Sequence, residues 1–355
     1  MNSFKQLVPV ELLLSLSILS ILFITLTFLI IFFKSKLTIF IPDYNSVQKI
    51  HNSLVPPFGG IIIALCYYSY LFFYKPSALI FDWYILFPAI FILFVGIFED
   101  IKGNVSANIR FFIIFIASII YLISTPELPK LEVKILGPFL EDYKFLKILF
   151  FAIGLTALSN GLNMIDGMNG LAGFTALSTL VGIASILVLN QKFDYVKVEI
   201  LSLSILVILF LLFNFPFGKI FLGDAGAYWL GWILGVFIID NYVDQNLNSW
   251  GAILLIFFPC KEVLFSTIRK LLQGKSPLKP DNEHLHIKLY YVLKGPSERN
   301  LEFNSFTTLC LMPFWFCSCI AVVWVHFYSF LAIYFIFIMA VIYSYYYIFI
   351  PKPRD

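Results

Sequence analysis

Three acidic motifs and a pair of histidines carry the chemistry open to this chain. Glu99 and Asp100 are adjacent in GIFEDIKGNVSANIR, and Asp166 stands in SNGLNMIDGMNGLAG with Asn160, Asn163 and Asn169 at three-residue steps. Asp224 is held between Gly223 and Gly226 in KIFLGDAGAYWLG. GKSPLKPDNEHLHIKLY adds His284 and His286, while QKIHNSLVPPFGG adds Lys49, His51 and the pair Gly59 and Gly60. Three-residue steps put polar groups on roughly one helical face, or in a tight turn where glycines intervene. Carboxylates are the hard oxygen ligands of Mg²⁺, which commonly takes one or two of them and completes its shell with water and substrate phosphates. A carboxylate flanked by glycines lets backbone come close to a diphosphate. Lysine and histidine can neutralise the charge on a transferring phosphoryl group. The set suits phosphoryl transfer assisted by Mg²⁺, with Mn²⁺ an acceptable substitute. The chain has no Walker loop, dinucleotide fingerprint or Ser-His-Asp arrangement.

The elements that must position these residues are membrane helices. With 60% hydrophobic and 13% charged residues and a mean hydropathy of +0.91, the chain has too little polar surface for a soluble globule of 355 residues. Apolar stretches of about 18 residues or more, enough to cross a hydrocarbon core of about 30 Å, predict an all-α polytopic membrane protein. Eleven spans are expected, near residues 11–33, 57–74, 79–98, 109–124, 145–161, 170–189, 198–217, 225–240, 250–268, 306–325 and 328–350. Gly173 and Gly182 interrupt the sixth. Pro259, Lys261 and Glu262 predict a break or bend in the ninth, and irregular backbone of that kind survives in a bilayer where it lines a cavity.

Each polar motif follows an odd-numbered span, so threading gathers all five on one face. Fifteen Lys and Arg fall on that side and eight on the other, which puts the motifs and the C-terminus in the cytoplasm and the N-terminus outside. Residues 11–33 exceed a cleavable signal core and run into Lys34, so they read as a retained span. No repeat or boundary divides residues 1–355, which read as one polytopic domain whose largest polar excursion is 269–305. The five cysteines lie within expected spans and read as small apolar residues. Lys275, Lys279 and Lys288 read as headgroup contacts or topology signals, and the two histidines among them also fit a solvated loop. Lys261 and Glu262 suit either an ion pair or a groove lining.

Together VPPFGG, GIFEDIKGNVS, NGLNMIDGMNGLAG, FLGDAGA and GKSPLKPDNEHLH resemble, in order and spacing, the polyprenyl-phosphate N-acetylhexosamine-1-phosphate transferase superfamily, over about residues 10 to 350. The resemblance implies transfer of a sugar 1-phosphate from a UDP-N-acetylhexosamine to undecaprenyl phosphate with release of UMP, at the cytoplasmic face of the bacterial inner membrane. Its closer likeness is to the GlcNAc-1-phosphate transferases that start O-antigen and other surface glycans. The longer histidine run of the peptidoglycan translocase is reduced here to HLHI.

Carried onto this chain, the resemblance makes Asp224 the principal Mg²⁺ ligand and gives Asp100, with Glu99 beside it, a role on the lipid phosphate as base or positioner. Asp166 would lie near metal and diphosphate. Phe221 would stack on uracil, Gly167, Met168 and Asn169 would border the uridine pocket, and Asn160 and Asn163 would join the substrate contacts. His284 and His286 would contact the diphosphate, with Lys49 and His51 as weaker contributors. The 269–305 segment would select the donor sugar. Expected partners are undecaprenyl phosphate, the nucleotide sugar and the bilayer, with a homodimer allowed and no nucleic acid. Relatives often have aspartates where this chain has Glu99 and Asn169, and an asparagine can serve as neither acid nor base. The competing readings are a transporter or channel with a cytoplasmic-facing carboxylate site and a degenerate relative that binds without turnover. The acids favour the enzyme, because no chain of titratable groups continues from them to the opposite face.

Overall fold

The computed structural model of the chain describes residues 10–34, 55–74, 83–132, 136–191, 198–279, 281–295 and 300–351. These residues form sixteen helices and, among them, no strand. The first eight are α1 (Val10–Phe32), α2 (Gly59–Tyr74), α3 (Trp83–Lys102), α4 (Ala107–Ser124), α5 (Leu136–Asp142), α6 (Lys144–Ile165), α7 (Leu171–Leu189) and α8 (Val198–Asn214). The rest are α9 (Gly223–Val243), α10 (Ser249–Leu255), α11 (Phe257–Leu272), α12 (Leu285–Lys294), α13 (Asn300–Cys310), α14 (Met312–Trp315), α15 (Cys317–Phe327) and α16 (Leu331–Phe349).

Six of these helices, α1, α3, α4, α6, α7 and α16, are long and apolar enough to cross a membrane, and the number reaches eight if each of two bent pairs is one span. Outward apolar surface agrees with a lipid environment. Phe87, Phe91, Phe94 and Phe98 line up exposed along α3 at the spacing of one helical face. The chain is a polytopic membrane protein. At its centre stands α9, buried continuously from Ala225 to Ile239 and packed on α6, α3 and α2. Backbones meet there at small residues, as membrane helices require for close approach. A Cβ at Gly60 would stand 2.0 Å from the Gly226 Cα, and one at Gly96 2.3 Å from the Ala225 Cα.

The expected bend of the ninth span is present, as a 74° break between α10 and α11 at Ile256. Pro259 explains its position, since the ring lacks an N–H and collides with the carbonyl four residues back. The second bent pair, 48° between 303–310 and 312–327, has Pro313 just past its break at Leu311 and was not expected. The expected interruption of the sixth span does not occur. Helix α7 runs through Gly173 and Gly182, whose missing side chains make room for Leu211 and for Leu255.

Candidate active site

Two turns bring Glu99, Asp100 and Arg110 together. The chain leaves α3 through Gly103, at φ +60°, where only glycine is unstrained, and Ser106 caps α4 by accepting from the Ile109 N–H at 3.3 Å. This short connection folds the first turn of α4 back over the end of α3. The Arg110 guanidinium then reaches Glu99 Oε1 at 3.1 Å and Asp224 Oδ2 at 2.6 Å, 5.9 Å from the Tyr228 ring centroid. Glu99 Oε2 accepts from the Val105 N–H at 2.9 Å.

The first turn of α9 is the focus of the arrangement. Asp100 Oδ1 accepts from the Asp224 N–H at 2.9 Å and Oδ2 from the Ala225 N–H at 3.0 Å, so one carboxylate satisfies two of the donors a helix start leaves open. The Asn163 side-chain amide donates to Asp224 Oδ1 at 3.0 Å. Residues 56–60 join from the side. The Phe221 N–H donates to the Pro56 carbonyl at 3.0 Å, Gly59 to Phe221 at 2.8 Å and Gly60 to Leu222 at 2.9 Å. Gly223 has φ +78° and no space for a side chain, since a Cβ would stand 2.3 Å from the Pro57 carbonyl oxygen and 2.9 Å from Asp100 Oδ2. Phe221 is half-buried in this junction.

Asp166 closes α6 at the same end and is half-buried. Burial first, and then the negative charges of Asp224 and Asp100, hold its carboxyl well above the ordinary range. A divalent cation relieves that excess of negative charge. The donor chemistry therefore fits Mg²⁺, which needs one or two carboxylates when phosphates and water supply the rest. No group of three or more His, Cys, Asp or Glu able to hold one ion occurs among the described residues. Asp224 and Asp166 are the carboxylates available, with the Arg110 contact to Asp224 as the competing cation.

The other expected residues divide. Gly167 lies half-buried in the turn after Asp166, with Met168 enclosed behind it. Asn160 is half-buried but returns its amide to its own helix, donating to the Thr156 carbonyl at 2.8 Å. Asn169, expected to border a uridine pocket, is engaged in structural hydrogen bonds. It is 1% exposed, and its amide donates to the Pro216 carbonyl at 2.9 Å. Its own N–H donates to Asn304 Oδ1 at 2.6 Å, and its carbonyl accepts from the Thr308 hydroxyl at 2.8 Å. It thus fastens the α6–α7 turn to α13. Lys49 and His51 lie outside the described residues.

Within the 269–305 region, residues 284–290 are folded inward. His284 and His286 are 4% and 1% exposed. Burial, with His284 adding to it and Glu262 opposing it, lowers the His286 ring to about 4, so the ring is neutral at pH 7. Lys288 is no headgroup contact: it is buried, donates to the Tyr347 carbonyl at 2.6 Å and lies 4.0 Å from that ring's centroid. Lys275 and Lys279 are exposed. Lys261 and Glu262 do not pair with each other. The lysine sits 5.4 Å from the Tyr343 ring centroid, and the glutamate faces His284. Sequence reasoning missed Arg110 and Glu262 as site residues. Arg110 ends the same motif that supplies Glu99 and Asp100, and its signal was read only as topology.

Acids from three helices thus converge on the start of α9 at one end of the bundle. Residues 83–241 match the family described as glycosyl transferase family 4. Over 259 residues, 70% of this chain and 69% of the relative, the sequence is 28% identical to the "Probable undecaprenyl-phosphate N-acetylglucosaminyl 1-phosphate transferase" of Bacillus subtilis (strain 168). It is 31% identical over 213 residues, 58% of this chain and 65% of the relative, to a phospho-N-acetylmuramoyl-pentapeptide-transferase of Dictyoglomus thermophilum. It is 27% identical over 245 residues, 69% of this chain and 71% of the relative, to an undecaprenyl-phosphate alpha-N-acetylglucosaminyl 1-phosphate transferase of Thermotoga maritima. These likenesses support the polyprenyl-phosphate N-acetylhexosamine-1-phosphate transferase superfamily, whose members are phospho-sugar transferases.

Proposed function

We propose that this protein transfers an N-acetylhexosamine 1-phosphate from a UDP-sugar to undecaprenyl phosphate, with Mg²⁺, as the first membrane step of a surface glycan such as O-antigen. The observation that carries the reading is the convergence of Asp100, Asp166 and Asp224 around the start of α9. The names of the relatives support undecaprenyl phosphate as acceptor, and the short HLHI run supports the GlcNAc-type branch. Eleven crossings follow from the apolar stretches, and an N-terminus outside with the site facing the cytoplasm of a bacterial inner membrane follows from the charge asymmetry of the loops.

An oxygen of the lipid phosphate attacks the β-phosphorus of the UDP-sugar. The bond from that phosphorus to the oxygen bridging the two phosphates breaks, and UMP leaves with the electron pair. A phosphate monoester has its second pKa near about 6, so at neutral pH the nucleophile is already largely a dianion and needs no base. Asp100 is then not required as a base, and its carboxylate holds the first turn of α9 through the Asp224 and Ala225 N–H groups. Asn163 and Arg110 orient the Asp224 carboxylate from its two oxygens. Asp224 and Asp166 would hold Mg²⁺, which supplies neutralisation of the diphosphate and of the departing phosphate. Direct displacement is favoured because it requires no protein nucleophile.

The test is to incubate purified protein with undecaprenyl phosphate, Mg²⁺ and a panel of UDP-N-acetylhexosamines, measuring UMP release and label entering the organic phase. Mg²⁺-dependent UMP release with lipid-linked sugar is expected and names the donor. UDP-sugar binding without UMP release across the panel would refute the transfer.

A further inference from the structure

Glu262 has no part in the reaction above, yet it lies midway along α11 with a side chain 1% exposed. A buried carboxylate costs several kcal/mol unless it is paired, so its partner indicates its task. Its Oε2 meets His284 Nδ1 at 3.1 Å, and the opposite ring nitrogen of His284 lies 3.6 Å from Asp281 Oδ1. His284 is thus held at Nδ1 by Glu262, with its other nitrogen facing Asp281. His286 differs. Its ring stacks on that of His284, with centroids 5.7 Å apart and planes at 16°. Its Nδ1 is buried without a hydrogen-bond partner, and its Nε2 abuts the turn after Asp166, 3.1 Å from where a Cβ at Gly167 would stand. Helix α11 is anchored close by, because a Cβ at Gly161 would meet the Pro259 carbonyl oxygen at 2.5 Å. The bent span and the acid-bearing helix α6 are thus in backbone contact two residues before Asn163.

We propose that Glu262 is a positioning residue: by holding His284 it fixes the stacked imidazole pair, so that His286, and not His284, presents a ring nitrogen to the donor diphosphate at the Asp166–Gly167 turn. The proposal rests on the function proposed above. It corrects the expectation that both histidines touch the diphosphate, and it gives the bend at Ile256 a task, since the bend directs α11 and its glutamate beneath the histidine segment.

Groups that orient a functional imidazole typically matter by 10- to 100-fold. In steady-state kinetics E262Q should raise the KM for the UDP-sugar by roughly tenfold, with kcat and the KM for undecaprenyl phosphate within about twofold of wild type, the pattern of lost uniform binding. E262D should restore part of the donor KM. H284Q should match E262Q, and the double variant should be no worse than either, because the two residues act as one unit. Histidine ¹⁵N spectra should show the His284 ring, identified by its loss in H284Q, displaced in E262Q. A donor KM in E262Q within about twofold of wild type overturns the proposal. So does a fall in melting temperature with both KM values raised together, which marks a merely structural residue. If E262Q does not fold, E262D and H284Q carry the same comparison, and unchanged donor KM in both overturns it. Wild-type protein that binds UDP-sugar without releasing UMP refutes the proposed function instead. Calorimetric UDP-sugar affinity then replaces KM, with the same tenfold loss expected in E262Q.

Discussion

Replacing Arg110 by methionine tests whether one guanidinium holds the acid cluster together. The side chain bridges Glu99 at 3.1 Å and Asp224 at 2.6 Å, and it is itself only 14% exposed. At an effective dielectric near 20, unit charges about 4 Å apart interact by about 4 kcal/mol, so the two contacts are large before costs. Desolvating the guanidinium opposes them, and the partial exposure of Asp224, 29%, and Glu99, 18%, weakens them further. A net loss of about 3 kcal/mol is expected, within the range for removing one partner of a buried ion pair. In Mg²⁺-free detergent solution R110M should melt roughly 6 °C below wild type. Titrating Mg²⁺ should then stabilise R110M more than wild type, because Asp224 Oδ2 is no longer shared. R110K should fall between them, since an ammonium is a point charge without a planar fork. Equal melting of R110M and wild type without Mg²⁺, or an equal response of both to Mg²⁺, would refute the reasoning.

Asp224→Asn should remove Mg²⁺-dependent UMP release and leave a folded protein, because the amide keeps the size of the side chain that Asn163 and Arg110 enclose; wild-type turnover would take Asp224 out of the metal site. His286 titrates near about 4 when folded, against 6.5 ordinarily, so between these values the unfolded chain binds more protons. Stability is therefore complete above pH 6.5 and falls by about 3 kcal/mol as pH drops toward 4. His286→Gln should flatten that part of the pH–stability curve, and an unchanged curve would show that the ring is not held neutral. Asn169→Ala should cost about 1 kcal/mol by removing one of the two hydrogen bonds to the Pro216 carbonyl, the other coming from the Ser305 hydroxyl, while leaving the donor KM near wild type; a raised KM with unchanged melting would place Asn169 in the nucleotide pocket.

Periodicity and composition announced the helices, and the order of the acidic motifs announced that they would meet. Pro259 marked the bend of α11, whereas Pro313, inside an otherwise continuous apolar run, was passed over. Gly173 and Gly182 were misread because a membrane helix tolerates glycine when a neighbour fills the space, and only the fold reveals Leu211 and Leu255 as those neighbours. Three-residue spacing left Asn160, Asn163, Asp166 and Asn169 on one helical face or in a tight turn at the glycines; the helix ends at Ile165, and the turn that follows takes Asn169 to Pro216 and α13. Arg110 and Glu262 escaped for a shared reason. A charge near a membrane boundary or within a span has several uses, and the choice depends on partners 114 residues away for Arg110 and 22 residues away for Glu262.

The short backbone junction between residues 56–60 and 221–222 also sets a timetable. Its two halves lie about 160 residues apart in the chain, and at roughly 5 to 20 residues per second a ribosome needs about 10 to 30 s to supply the second after the first. For roughly the last three quarters of that interval Asp100 has been made but the two N–H donors of α9 that satisfy it have not. That end of the bundle is therefore completed only when α9 joins helices made before it, and a chain halted before Gly223 would carry Asp100 without the two N–H groups that satisfy it.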